Sequence, residues 1–97
     1  MIITMKKRIS INTEEIVSMA ALYSFFEREL GRDFSHNLDA LSDVLSDEEI
    51  EISIDDIGRF RTIFDTKMTK KYFAKRYTEN MPTLADAIIE ICHPYMK

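Results

Sequence analysis

Two short runs alternate isoleucine with polar side chains, and the roughly forty residues between them restrict the fold more than any other feature of the chain. In Lys7 to Ile11 the isoleucines are Ile9 and Ile11; in the second run Ile50, Ile52 and Ile54 interleave with Glu51 and Ser53. A period of two is that of a strand with one buried face. An intervening segment of that length, holding two helical stripes, cannot close a tight hairpin. The spacing therefore predicts a parallel pair with a right-handed crossover. The expected fold is a small α/β layer, a two- or three-stranded parallel sheet with about four helices, in one domain over residues 1–97.

Helical periodicity places the other elements. Ile16, Met19, Ala20, Tyr23, Phe26 and Leu30 share a stripe that ends at Gly31, where a positive φ closes a helix. This helix covers 19–30 and starts at either Thr13 or Ser18, both competent N-caps. A shorter helix of about 37–46 follows, capped by Ser35 or Asn37. Asp55 or Asp56 caps a third, with the stripe Ile57, Phe60, Ile63, Phe64 and Met68. A last helix opens at Pro82 and Thr83 with Asp86 placed as in a capping box, and stops before Pro94.

Charge is distributed unevenly. Residues 33–56 hold nine of the seventeen acidic side chains and no Lys or Arg, whereas residues 59–76 hold seven bases against the single Asp65. Folding alone does not ask for such a density of one sign, since like charges repel. In the short helix, Leu38, Leu41 and Leu45, with Val44 alongside, oppose Asp39, Asp43 and Asp47, which follow one another every four residues. One face suits a core and the other an anionic docking surface.

These residues resemble the barstar family. Ile11-Asn12, Glu14-Glu15-Ile16, Glu29-Leu30 and above all Asn37-Leu38-Asp39-Ala40-Leu41 with Asp43 and Leu45 carry the resemblance, over roughly residues 8–60. It implies an intracellular inhibitor whose short helix and preceding loop plug the active site of a ribonuclease, with two aspartates in place of substrate phosphate. By position those are Asp39 and Asp43, with Asn37 at the helix start and Glu90 near a further contact on the last helix. Asp33, Phe34, His36, Ser42, Ser46 and Asp47 complete the expected surface. Asp33 and Phe34 stand where the family commonly has two aromatics, Ser35 and His36 where it has Gly-Glu, and Ser42 where it has a tryptophan. The partner expected from these departures is a basic ribonuclease toxin other than the family's best-known enzyme, bound one-to-one by a monomer in the cytoplasm.

Other chemistries are less well provided for. His36 and His93 are the only histidines, Cys92 is the only cysteine, and no strand-turn-helix carries a nucleophile motif. The carboxylates lack the looped oxygen-ligand pattern of a calcium site and the desolvating pocket that splits two pKa values. No enzyme, cofactor or metal is expected. The apolar N-terminal run is too short for a secretory signal or a membrane span. A second reading is a small protein- or RNA-binding module, in which Lys67 to Arg76, with Tyr72, Phe73 and Tyr77, combines phosphate neutralisation with stacking.

Overall fold

The computed structural model describes residues 6–66 and 83–96. Among these, β1 (Lys7–Ile11) and β2 (Ile50–Ile54) pair in parallel, with Ile9 opposite Ile52 and Ile11 opposite Ile54. Ile9, Ile11, Ile50 and Ile52 are buried, while Arg8, Ser10 and Ser53 on the opposite face are exposed. The alternation thus sorts the two faces as a period of two requires. On the other edge of β2 the pairing shrinks to one isolated parallel bridge, Ile52 to Met96. The sheet is two-stranded among the described residues; the alternative third strand at Tyr72 to Tyr77 lies outside them, as do Pro82 and Met68.

Helix α1 (Met19–Leu30) is capped by Ser18, whose Oγ accepts from the Ala21 N–H at 3.1 Å. Thr13 does not start it, because residues 13–15 close a separate turn on Asn12. The Asn12 carbonyl accepts from Glu15 and Ile16, and its side chain accepts from Glu14. The buried face of α1 is Leu22, Tyr23, Phe25 and Phe26, which is broader than the predicted stripe, and Ala20 is exposed. Gly31 ends the helix at φ 68°, the left-handed conformation that glycine adopts at least cost.

Helix α2 (Leu38–Ser46) is capped by Asn37, and α3 (Ile57–Ile63) by Asp56. Asp55 serves elsewhere: its Oδ1 accepts from the Thr13 N–H at 3.1 Å, tying the carboxyl ends of the two strands together. That bond is the leading reason why the Asp55 carboxyl sits below its usual range. Phe60 and Phe64 are buried with ring centroids 4.8 Å apart. Ile57 corrects the predicted stripe, being 45% exposed. As the first helical residue it projects back past the helix end, beyond the core edge.

Helix α4 (Leu84–Cys92) opens on Thr83, whose Oγ1 accepts from the Asp86 N–H and donates to Asp86 Oδ2 at 2.9 Å. Arg61 donates to Asp86 Oδ1 at 2.8 Å and so joins α3 to α4. A 3-10 turn, His93–Tyr95, follows where Pro94 ends the α-helical ladder. Helix α4 packs on α2 and α3, and its Leu84, Ala87, Ile88 and Ile91 join the isoleucines of the sheet in one core. Each fully buried Leu, Ile or Phe there contributes about 1.5–3 kcal/mol of apolar transfer. Among the described residues no helix is long and apolar enough to cross a membrane.

Candidate protein-docking site

The acidic segment folds around α2. Leu38, Leu41 and Leu45 have no exposed surface and Val44 is buried. This apolar side holds the helix on the core, and its rotation decides what the other side presents. Asp43 and Ser46 are exposed, Asp39 is half-buried in the first turn, and Asp47 is the exposed C-terminal cap. Asn37 Oδ1 accepts from the Ala40 N–H at 2.7 Å, so the first turn is fixed by its own sequence. Asp39 also lies at the positive end of the helix dipole.

Asp47 lies at the opposite, negative end, where a carboxylate is unfavourable. Arg32, from the loop before α2, reaches back to it: its guanidinium is 3.8 Å from Asp47 and 3.7 Å from Glu48. The acidic surface therefore carries a built-in counter-charge at its C-terminal end.

Ser42 corrects the predicted surface, being only 7% exposed. Positions 38, 41, 42 and 45 form the i, i+3, i+4, i+7 stripe of an amphipathic helix, so Ser42 belongs to the core side and offers a partner almost nothing. Asp33 and His36 are exposed and Phe34 is half-buried against the core. Glu90 is exposed on α4, the helix that packs on α2.

The loop between α1 and α2 is held by two α1 side chains. Tyr23 meets Phe34 edge-to-face at 6.1 Å and stacks on His36 at 4.9 Å with ring planes 21° apart. Glu27 grips the loop through both carboxylate oxygens, Oε2 accepting from the Phe34 N–H at 3.3 Å and Oε1 lying 2.9 Å from His36 Nε2. The bond to His36 is the main cause of a Glu27 carboxyl held below its usual value, opposed by partial desolvation. Sequence reasoning placed Tyr23 in the core and missed Glu27 and Arg32. The signal available was an acidic residue one turn before the helix-ending Gly31, under the chain as it reverses.

Among the described residues no group of three or more His, Cys, Asp or Glu side chains is arranged to hold a metal ion. Cys92 is fully buried, which pushes its thiol up to about 12. It stays protonated, unlike a nucleophilic cysteine.

The family model described as barstar, the barnase inhibitor, matches residues 7–93, nearly the whole chain and well past the segment whose letters carry the likeness. The chain belongs to the barstar family. No curated protein and no solved structure matches it. Barstar-family membership agrees with a parallel α/β layer in which a short acidic helix precedes the second strand, and it makes an inhibitor, not an enzyme, the general type of protein to which the chain belongs.

Proposed function

We propose that the chain is an immunity protein, or antitoxin, which silences a cognate basic ribonuclease toxin by seating α2 and the loop before it in the toxin's active site. The observation that carries this reading is Asp43, exposed on a helix whose opposite face is immobilised by Leu38, Leu41 and Leu45. A ribonuclease concentrates positive charge to hold phosphate. A rigid anionic helix can occupy that groove without doing chemistry, and its field speeds the encounter. Asp39 and Asp43 supply the central charge, and Asp33, His36, Asn37, Ser46, Asp47 and Glu90 lie around them; half-buried Phe34 contributes a smaller apolar contact than an exposed aromatic would. The protein acts as a cytoplasmic monomer in a one-to-one complex.

The test is inhibition of RNA cleavage by a basic ribonuclease encoded beside the gene, with wild-type protein and Asp43→Ala compared. One-to-one inhibition by the wild type and its loss in the variant is the expected result. Equal inhibition by both proteins would remove α2 from the mechanism.

A further inference from the structure

Of the two α1 side chains that hold the loop linking α1 to α2, Glu27 is the one that accepts from the loop's backbone. Glu27 accepts through its main-chain carbonyl from the N–H groups of Gly31 at 2.9 Å and Arg32 at 3.2 Å. Its carboxylate accepts from the Phe34 N–H at 3.3 Å and meets His36 Nε2 at 2.9 Å. Main chain and side chain together hold residues 31, 32, 34 and 36, and Asn37, the N-cap of α2, follows directly. Two of those residues bear on the charge pattern: Arg32 pairs with Asp47 and Glu48, and Phe34 adjoins exposed Asp33.

We infer that Glu27 is a positioning residue for docking, a latch that preforms the anionic surface without touching the partner. This rests on the reading of that surface as the docking face. Ring contacts with Tyr23 anchor the Phe34 and His36 side chains but do not bond the loop's backbone, which without Glu27 would sample more conformations, each of which must be given up on binding. The latch sets that ordering cost before the encounter. The carboxylate can be replaced by an amide: Gln at this position keeps an oxygen for the Phe34 N–H and places an N–H₂ toward His36 Nε2, a ring nitrogen that donates or accepts according to its tautomer. Ala keeps only the main-chain carbonyl.

The experiment compares wild-type protein with Glu27→Ala, Glu27→Gln and Asp43→Ala. The readouts are hydrogen exchange at the Phe34 amide and affinity for the basic ribonuclease encoded beside the gene. Glu27→Ala is expected to speed Phe34 exchange at least about tenfold and to weaken ribonuclease binding by a similar factor, and Glu27→Gln to restore both. Asp43→Ala should weaken binding with Phe34 protection unchanged. A Phe34 amide equally protected in Glu27→Ala overturns the latch, as does ribonuclease binding that falls in Asp43→Ala but not in Glu27→Ala. If wild-type protein does not bind that ribonuclease, or binding is insensitive to Asp43, the reading of the docking face fails and the positioning role fails with it, whereas faster Phe34 exchange in Glu27→Ala would still show that Glu27 orders the loop.

Discussion

His36 Nε2 lies 2.9 Å from the Glu27 carboxylate while its ring stacks on Tyr23, one turn earlier on the same helix. The pairing is local, yet it makes the loop between α1 and α2 sensitive to acid. A carboxyl held below its ordinary value binds its proton more weakly in the folded chain than in the unfolded one. Acid therefore favours unfolding.

Among the described residues three carboxyls behave in this way. Glu27 lies below 4.5 through His36, Asp86 below 3.8 through Arg61 and Thr83, and Asp55 below 3.8 through Thr13. Their stabilisation is complete above those ordinary values and is lost as pH falls through the lower folded ones. The unfolding temperature should accordingly fall below about pH 4.5, and Asp55→Asn with Asp86→Asn should flatten the fall. Thermal unfolding followed by circular dichroism across pH 2–7 measures it.

Asn37 caps α2 through its side chain, whose Oδ1 accepts from the Ala40 N–H at 2.7 Å, and its carbonyl accepts from the Leu41 N–H at 3.1 Å. Asn37→Ala should destabilise the protein by about 1 kcal/mol. In a domain of this size that corresponds to a fall of roughly 4–8 °C in Tm. The buried α2 face holds the helix in place even then, so the circular dichroism spectrum at 20 °C should stay nearly unchanged.

Gly31 is the only described residue with a positive φ, and no atom beyond its two chain neighbours lies within 4 Å of where a Cβ would sit. Gly31→Ala therefore meets no clash, only the backbone cost of the left-handed region. That cost is about 1–2 kcal/mol. Urea unfolding should show a lower midpoint with an unchanged slope.

The elements that sequence alone revealed are those whose cause is local. Isoleucines at every second position define β1 and β2, and Asn37 and Thr83 cap their helices within three residues of themselves. Local pattern also left choices that only distant partners decide. Asp55 loses the capping role to Asp56 because Thr13, far away in the chain, takes its oxygen. Ser42 was legible in principle, lying within the 38-41-42-45 stripe, but the position matching a family contact pulled the reading outward. The grip of Glu27 on residues 34 and 36 was hidden, because it exists only after Gly31 has turned the chain back on α1.

The basic and aromatic run 67–77 lies outside the described residues, and it separates the two functional readings experimentally. If the protein acts as an inhibitor it should show no salt-dependent retention of single-stranded RNA. Retention at 50 mM salt that disappears at 200 mM and on changing Lys70, Lys71 and Lys75 together would favour the RNA-binding module. An electrophoretic mobility shift with labelled RNA is sufficient.

The most direct test is the affinity of Asp43→Ala for the ribonuclease that the wild-type protein inhibits, measured beside its thermal unfolding. Truncating one member of a buried interfacial charge pair costs about 2–5 kcal/mol, a range for which the barnase–barstar complex is itself a source. A loss of roughly 30-fold or more in Kd, with Tm changed by no more than about 2 °C, is the predicted result. An unchanged Kd, or a loss of binding that merely tracks unfolding, would contradict the assignment of α2 as the inhibitory helix.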